Sequence, residues 1–185
     1  MKVRHTYILI ICLTFCSKNQ SLIINSNDKD LVLENGVLKH EGKPFSGNLI
    51  SFYDDKSNKS NTHYLNGKKE GLEEIWYYSG VLASERFYHK NKKTGIHKGF
   101  WENRKPKFLY HFNSIGEYMG SVEEWYFTGQ KYKDFNYLNG EEVGKQKLWY
   151  ETGVIRANYE VFNEERFGLI GLKNCTPVTV IKEEN

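Results

Sequence analysis

The chain has 185 residues, 26 Lys and Arg against 23 Asp and Glu, and 15% aromatic residues, of which 13 are Tyr, 11 Phe and 4 Trp. Such a length suits one domain or one short repeat array, and abundant aromatics with 16 spaced Gly and only 3 Pro favour strands over helices. The near-balanced charge leaves no basic stripe of the kind nucleic-acid binders carry, and three cysteines, two of them in the first sixteen residues, exclude a disulfide framework and a zinc-ligand set.

Residues 1–15 read as a signal peptide. Lys2, Arg4 and His5 give a positive start, and Tyr7 to Phe15 form an apolar core too short to span a bilayer. The run Leu13-Thr14-Phe15-Cys16 is similar to a bacterial lipobox, with Phe15 where a small residue is usual. Cys16 is therefore the expected lipidation site and first mature residue. Diacyl or triacyl attachment would supply the two or more chains that stable anchoring needs; plain secretion and an uncleaved anchor are the alternatives. Loss of Lys2 and Arg4 leaves 24 basic and 23 acidic residues, with Cys175 the one remaining thiol, expected as a small hydrophobe. Residues 16–34, polar and rich in Asn and Ser, are expected to form a flexible tether.

A repeat fills residues 35–175. Gly47, Gly71, Gly95, Gly120, Gly144 and Gly168 recur at intervals of 24, 24, 25, 24 and 24. Five residues after each of the first five comes an aromatic (Phe52, Trp76, Phe100, Trp125, Trp149), and the next residue is a companion aromatic: Tyr53, Tyr77, Trp101, Tyr126, Tyr150. The sixth unit has Lys173-Asn174 there. Gly80, Gly129 and Gly153 then mark a tight turn, where unit one has Lys56 and unit three Asn103-Arg104, with Asn103 the residue expected to tolerate a left-handed backbone. A second strand follows, alternating cleanly in unit five (Ile155, Ala157, Tyr159 and Val161 on one face). Asn66-Gly67 and Asn139-Gly140 are hairpin signals that link units, and Asn35-Gly36 opens a half unit with a strand over residues 37–40. The expected fold is all-β: an elongated antiparallel β-hairpin array, a single-sheet meander of about five and a half units of about 24 residues. Residues 176–185 are expected to cap it.

The columns of Tyr64-Leu65-Asn66-Gly67 through Gly80, and of Tyr137-Leu138-Asn139-Gly140 through Gly153, resemble the MORN-variant repeat (MORN_2) of proteins labelled YwqK-family antitoxins. The resemblance covers residues 35–173 and implies a β-hairpin array used for protein contacts; it also implies, for some members, an antitoxin or immunity role. Gly47, Gly71, Gly95, Gly120 and Gly144, with Trp76, Trp125 and Trp149, are then the structural anchors, the tryptophans packing the core of a thin sheet.

Chemistry-bearing patterns are sparse. His40, His63, His89, His97 and His111 show no metal-ligand spacing and fit the surface or strand ends. Glu73-Glu74, Glu123-Glu124 and Glu141-Glu142 fit a solvated strand face better than a glycosidase dyad. No catalytic residue, metal or cofactor is expected, and an enzyme is disfavoured. The expectation is a non-enzymatic interaction scaffold with a protein partner, exported to a bacterial envelope and held at the membrane by a lipid. An antitoxin is the second reading. A glycan-binding module is the third. The companion row Tyr53, Tyr77, Trp101, Tyr126 and Tyr150 is the candidate binding face, for stacking on sugar rings or for anchoring a protein partner.

Overall fold

A computed structural model describes residues 22–171, and these carry sixteen strands and no helix. Cys16, Cys175 and the segment 176–185 lie outside the described residues. Five hairpins make the body: β5 (Gly47–Phe52) with β6 (Asn58–Leu65), β7 (Lys68–Trp76) with β8 (Leu82–His89), β9 (Lys92–Phe100) with β10 (Pro106–Phe112), β11 (Tyr118–Trp125) with β12 (Lys131–Leu138), and β14 (Gly144–Trp149) with β15 (Ile155–Phe162). Each hairpin pairs antiparallel with the next, β13 (Glu141–Glu142) adds to β12, and β16 (Glu165–Leu169) pairs β15. The result is one open, meandering sheet, as the 24-residue period implies.

The anchor glycines explain why the first strands alternate poorly in the sequence. Thr62 pairs Glu73 while Tyr64 pairs Lys69, so β7 holds three residues where β6 holds one. The same excess recurs at Gly95, Gly120 and Gly144. Gly71, Gly95, Gly120 and Gly144 sit inside these bulges at φ 73, 63, 87 and 62, a region that disfavours any side chain. Gly47, at φ 152, also lacks space: a Cβ on it would lie 2.1 Å from the Leu22 carbonyl oxygen.

Turns at one margin share a single geometry. The amide of Tyr77 donates to the Val81 carbonyl at 2.8 Å and that of Gly80 to the Tyr77 carbonyl at 2.9 Å, and the four other units repeat the pair. The left-handed residue is Lys56, Gly80, Arg104, Gly129 or Gly153. In unit three it is thus Arg104 rather than Asn103, whose Oδ1 accepts from the Lys105 amide and whose Nδ2 donates to the Phe127 carbonyl. At the opposite margin two-residue turns dominate, with both residues at positive φ in Asn66-Gly67, Asn139-Gly140 and also Lys90-Asn91. Between β10 and β11 a five-residue turn, 113–117, replaces them, which accounts for the single 25-residue interval.

Residues 16–34 are not a tether throughout. β1 (Ile23–Asn25) pairs parallel with β5, and β2 (Leu31–Glu34) opens a small sheet with β3 (Val37–His40) and β4 (Lys43–Pro44). The cause is apolar burial: Ile24, 6% exposed, joins Leu38 and Phe45 in a cluster at the start of the array. The main core lies further along on one face, where Val122, Phe135, Ala157 and Tyr159 pack with Tyr110, Tyr118, Tyr137, Leu148 and Val161. Trp76, Trp125 and Trp149 are outside both clusters and half-buried on the opposite face, contrary to their expected place in the core. Register is the reason. Val122 pairs Tyr110 and Phe135, so the core face takes the residues two and four past each anchor, and the tryptophans, five past, point the other way.

Candidate functional site

The companion row sits at the margin of the core face and is first a structural device. Tyr53 OH donates to the Trp76 carbonyl at 2.8 Å, Tyr77 OH to the Phe100 carbonyl at 3.0 Å, Trp101 Nε1 to the Trp125 carbonyl at 2.9 Å, and Tyr126 OH to the Trp149 carbonyl at 3.1 Å. Each companion thus staples its unit to the backbone of the next. Tyr150 is the exposed last member. The anchor tryptophans take part through their carbonyls, a role that no side-chain pattern reveals.

With their polar ends fixed, the companions present ring surface. Much of it is covered by the residue seven past the anchor aromatic: Lys59 Nζ is 5.6 Å from the Tyr53 ring centre, Lys107 Nζ 4.3 Å from Trp101, and the Arg156 guanidinium 5.9 Å from Tyr150. Tyr132 takes that place on Tyr126, edge-on at 5.2 Å. Turn tips add a second contact, Tyr78 on Tyr53 and Phe127 on Trp101, at 5.3 and 6.0 Å.

Between units three and four these contacts open into a groove of about 420 Å³, the only one among those described in which aromatic rings make up most of the wall. Trp101, Trp125, Tyr126, Phe127 and Tyr132 line it at the margin, and Phe108 and Tyr110, stacked at 4.6 Å, continue it onto the core face. Lys107, Glu124 and Glu151 are its charged groups. Burial, then the adjacent Glu124 carboxylate, raises the Tyr110 phenol well above its ordinary value, so it stays a donor at neutral pH. Sequence reasoning found Trp101 and Tyr126 here but missed Phe108, Phe127 and Tyr132, which share no column with one another.

The candidate acid pairs separate. Adjacent residues alternate faces, so Glu73 and Glu123 lie on opposite sides of the sheet from Glu74 and Glu124 respectively and cannot flank one bond. Glu73 is buried, held by Lys69 Nζ, by Thr62 Oγ1 and Tyr88 OH at 3.3 Å each. Burial pulls the Lys69 pKa down, but the bond and charge of Glu73 outweigh it and leave it above the ordinary value.

The histidines are engaged rather than poised. His63 Nδ1 meets Asn48 Oδ1 at 2.7 Å, His89 Nδ1 meets Glu70 at 2.9 Å, and His111 Nδ1 donates to the Ser121 carbonyl. His97 departs from the expected surface position. It is 2% exposed, donates Nε2 to the Phe87 carbonyl at 2.8 Å, and burial lowers its pKa. Among the described residues no three His, Cys, Asp or Glu side chains gather as a metal site, and no helix is long and apolar enough to cross a membrane.

The face that carries the tryptophans has a second feature. Met119, Val143 and Phe167 occupy one position in three successive units, immediately before the anchor glycine, and all three are exposed. Two strands per unit at ~4.8 Å place successive members roughly 10 Å apart. Phe87 and Ile96 are exposed on this face too, at other positions, since Thr94 and Glu70 precede Gly95 and Gly71.

No family model and no curated relative matches the chain. Among solved structures, a mutant of S. aureus TarM in complex with fondaparinux, alpha-GlcNAc-glycerol and UDP is similar over 62% of this chain and 21% of that one, at 12% identity and a TM-score of 0.32. The chain therefore spans about a fifth of that protein, and a likeness this slight carries no argument about function.

Proposed function

We propose that this chain is a non-catalytic protein-binding repeat module, exported to a bacterial envelope and anchored there through acylated Cys16. The observation that carries the binding role is the row Met119, Val143 and Phe167. One face of the sheet is closed by its own core, whereas the other keeps large apolar side chains exposed at unit spacing along the array. A partner element laid along that row meets an apolar contact about every 10 Å, the geometry that repeat arrays use for extended partners. The MORN-variant resemblance points to the same use. Acylation of Cys16 would set the array close to a membrane surface.

The test pairs the wild type with a Met119→Lys/Val143→Lys double variant. Each is immobilised and exposed to detergent-solubilised envelope extract, and captured proteins are quantified by mass spectrometry. The expected result is a small set of proteins held by the wild type and lost from the variant; identical captures by both, or none above background, would refute the reading. Intact mass of the mature chain separately tests the lipid on Cys16.

A further inference from the structure

We infer that the aromatic groove between units three and four is a carbohydrate subsite that takes a pyranose ring of a neutral oligosaccharide. The repeat supplies its own control. At the turn tip, where this groove has Phe127, the other units have Asp54, Tyr78, Glu102 and Glu151. Where it has Phe108, they have Ser60, Ser84, Lys133 and Ala157. Where it has Tyr132, they have Lys59, Ala83, Lys107 and Arg156. The fold therefore demands no aromatic at these positions, yet all three coincide around one groove. Gly99 completes the exception. A Cβ on it would lie 2.1 Å from the Phe108 ring, whereas the same position holds Ser51, Ile75, Glu124 and Leu148 elsewhere. One unit gives up a side chain so that a ring can lie flat against the sheet.

The chemistry of the lining selects the ligand class. A volume of about 420 Å³ falls in the range of small-ligand sites. The polar ends of Trp101 and Tyr126 are committed to backbone carbonyls, so these rings are held rigid, and the ring surface that Lys107, Phe127 and Tyr132 leave open needs little ordering on binding. A pyranose has an apolar C–H face for such a platform and hydroxyls around its rim. Lys107 can donate to those hydroxyls, Glu124 and Glu151 can accept, and the Tyr110 and Tyr132 phenols can do both. An organic cation fits less well, because the Lys107 ammonium already stands 4.3 Å over Trp101. A purely apolar ligand would bury three charged groups without partners.

The experiment titrates the full chain with chitohexaose, maltohexaose and cellohexaose, following tryptophan fluorescence and confirming by calorimetry. At least one sugar should bind saturably. Phe127→Glu and Tyr132→Lys each restore a residue the repeat uses elsewhere, and Phe127 is 54% exposed, so both variants should keep the wild-type circular dichroism. Each should bind roughly fivefold or more weakly, the loss expected for one ring contact. Saturable binding of choline chloride with none of the three sugars bound would make this a cation site and overturn the inference. So would the absence of sugar binding by the wild type, a result that needs no variant to fold, or sugar binding that both folded variants retain. Met119 and Val143 lie on the other face, so this outcome and the partner-capture outcome are independent.

Discussion

The two halves of the array bury different chemistry on the same face of the same sheet. In the first half the buried strand positions are the polar Thr62, Glu73, Ser84 and His97, with Phe112 at the junction; in the second they are Val122, Phe135, Ala157 and Tyr159, with Gln146 as the polar exception. Register makes them comparable, since Glu73, His97 and Val122 each stand two residues past an anchor glycine. The repeat thus dictates where a side chain is enclosed and leaves its chemistry open, provided each polar group finds a partner. Gln146, fully buried in the same column, shows the rule inside the apolar half: Oε1 accepts from the Asn136 amide, and Nε2 donates to the Asn136 and Val143 carbonyls.

The comparison breaks most visibly in the second half. Phe135→Ala should cost about 3–5 kcal/mol, the range for deleting a buried aromatic side chain, and should lower the urea midpoint accordingly. Ser84→Ala, on the same face of the first half, removes no apolar volume and should cost less than about 1 kcal/mol. Because contacts in such an array run mainly between neighbours, amide exchange in the Phe135 variant should quicken across β11 to β15 before β6 to β9. Uniform quickening along the sheet would show that the halves are one cooperative unit.

In the first half the analogous lesion is electrostatic. Glu73→Ala leaves the Lys69 ammonium, the Thr62 hydroxyl and the Tyr88 phenol without their shared acceptor and should cost about 1–3 kcal/mol. A Glu73→Met/Lys69→Met pair should recover most of that loss, because apolar replacement of both partners removes the unpaired charge. Chemical denaturation of both proteins checks the contrast. Failure of the double variant to recover would mean that Glu73 acts mainly through Thr62 and Tyr88.

Smaller effects are expected from the staples. Tyr126→Phe removes one hydroxyl bond to the Trp149 carbonyl and should cost about 1 kcal/mol. Tyr150→Phe, at the exposed end of the row, should cost less, and thermal melts would resolve the difference.

Much of this was legible in the sequence, and the residues that were not share a cause. The 24-residue period, the five turns, β3 and the alternation of the second strands followed from glycine spacing and apolar pattern. The first strands misled because two extra residues enter around Gly71, Gly95, Gly120 and Gly144, and only pairing shows which alternate set is enclosed. That is why Trp76, Trp125 and Trp149, the most core-like residues by type, lie outside the clusters, while Glu73, His97 and Gln146 are buried. The strands within residues 23–34 were hidden by their polar surroundings, although Ile23-Ile24 was the available signal. For the groove, Trp101 and Tyr126 could be found by column, but Phe108, Phe127 and Tyr132 become a set only when neighbouring hairpins bring three different columns together.

The finest test of the comparison is His97→Gln, which moves the Gln146 solution into the polar half. A glutamine amide can reach the Phe87 carbonyl as the imidazole does, so stability at neutral pH should change by less than about 1 kcal/mol. Acid should separate the proteins. Burial first, and then the nearby Lys93 and Arg86 cations, hold the His97 pKa below its ordinary 6.5, against the opposing pull of the Phe87 carbonyl and Glu73. A pKa depressed on folding means that the unfolded chain takes up the proton first. The stabilisation is therefore complete above pH 6.5 and is lost as pH falls through the lower folded value. Glutamine does not titrate, so the wild-type melting temperature should fall more steeply than that of the variant below pH 6.5, with the curves parallel above it. Parallel curves throughout would mean that His97 accepts its proton in place, and that the enclosure of this column is looser than its 2% exposure implies.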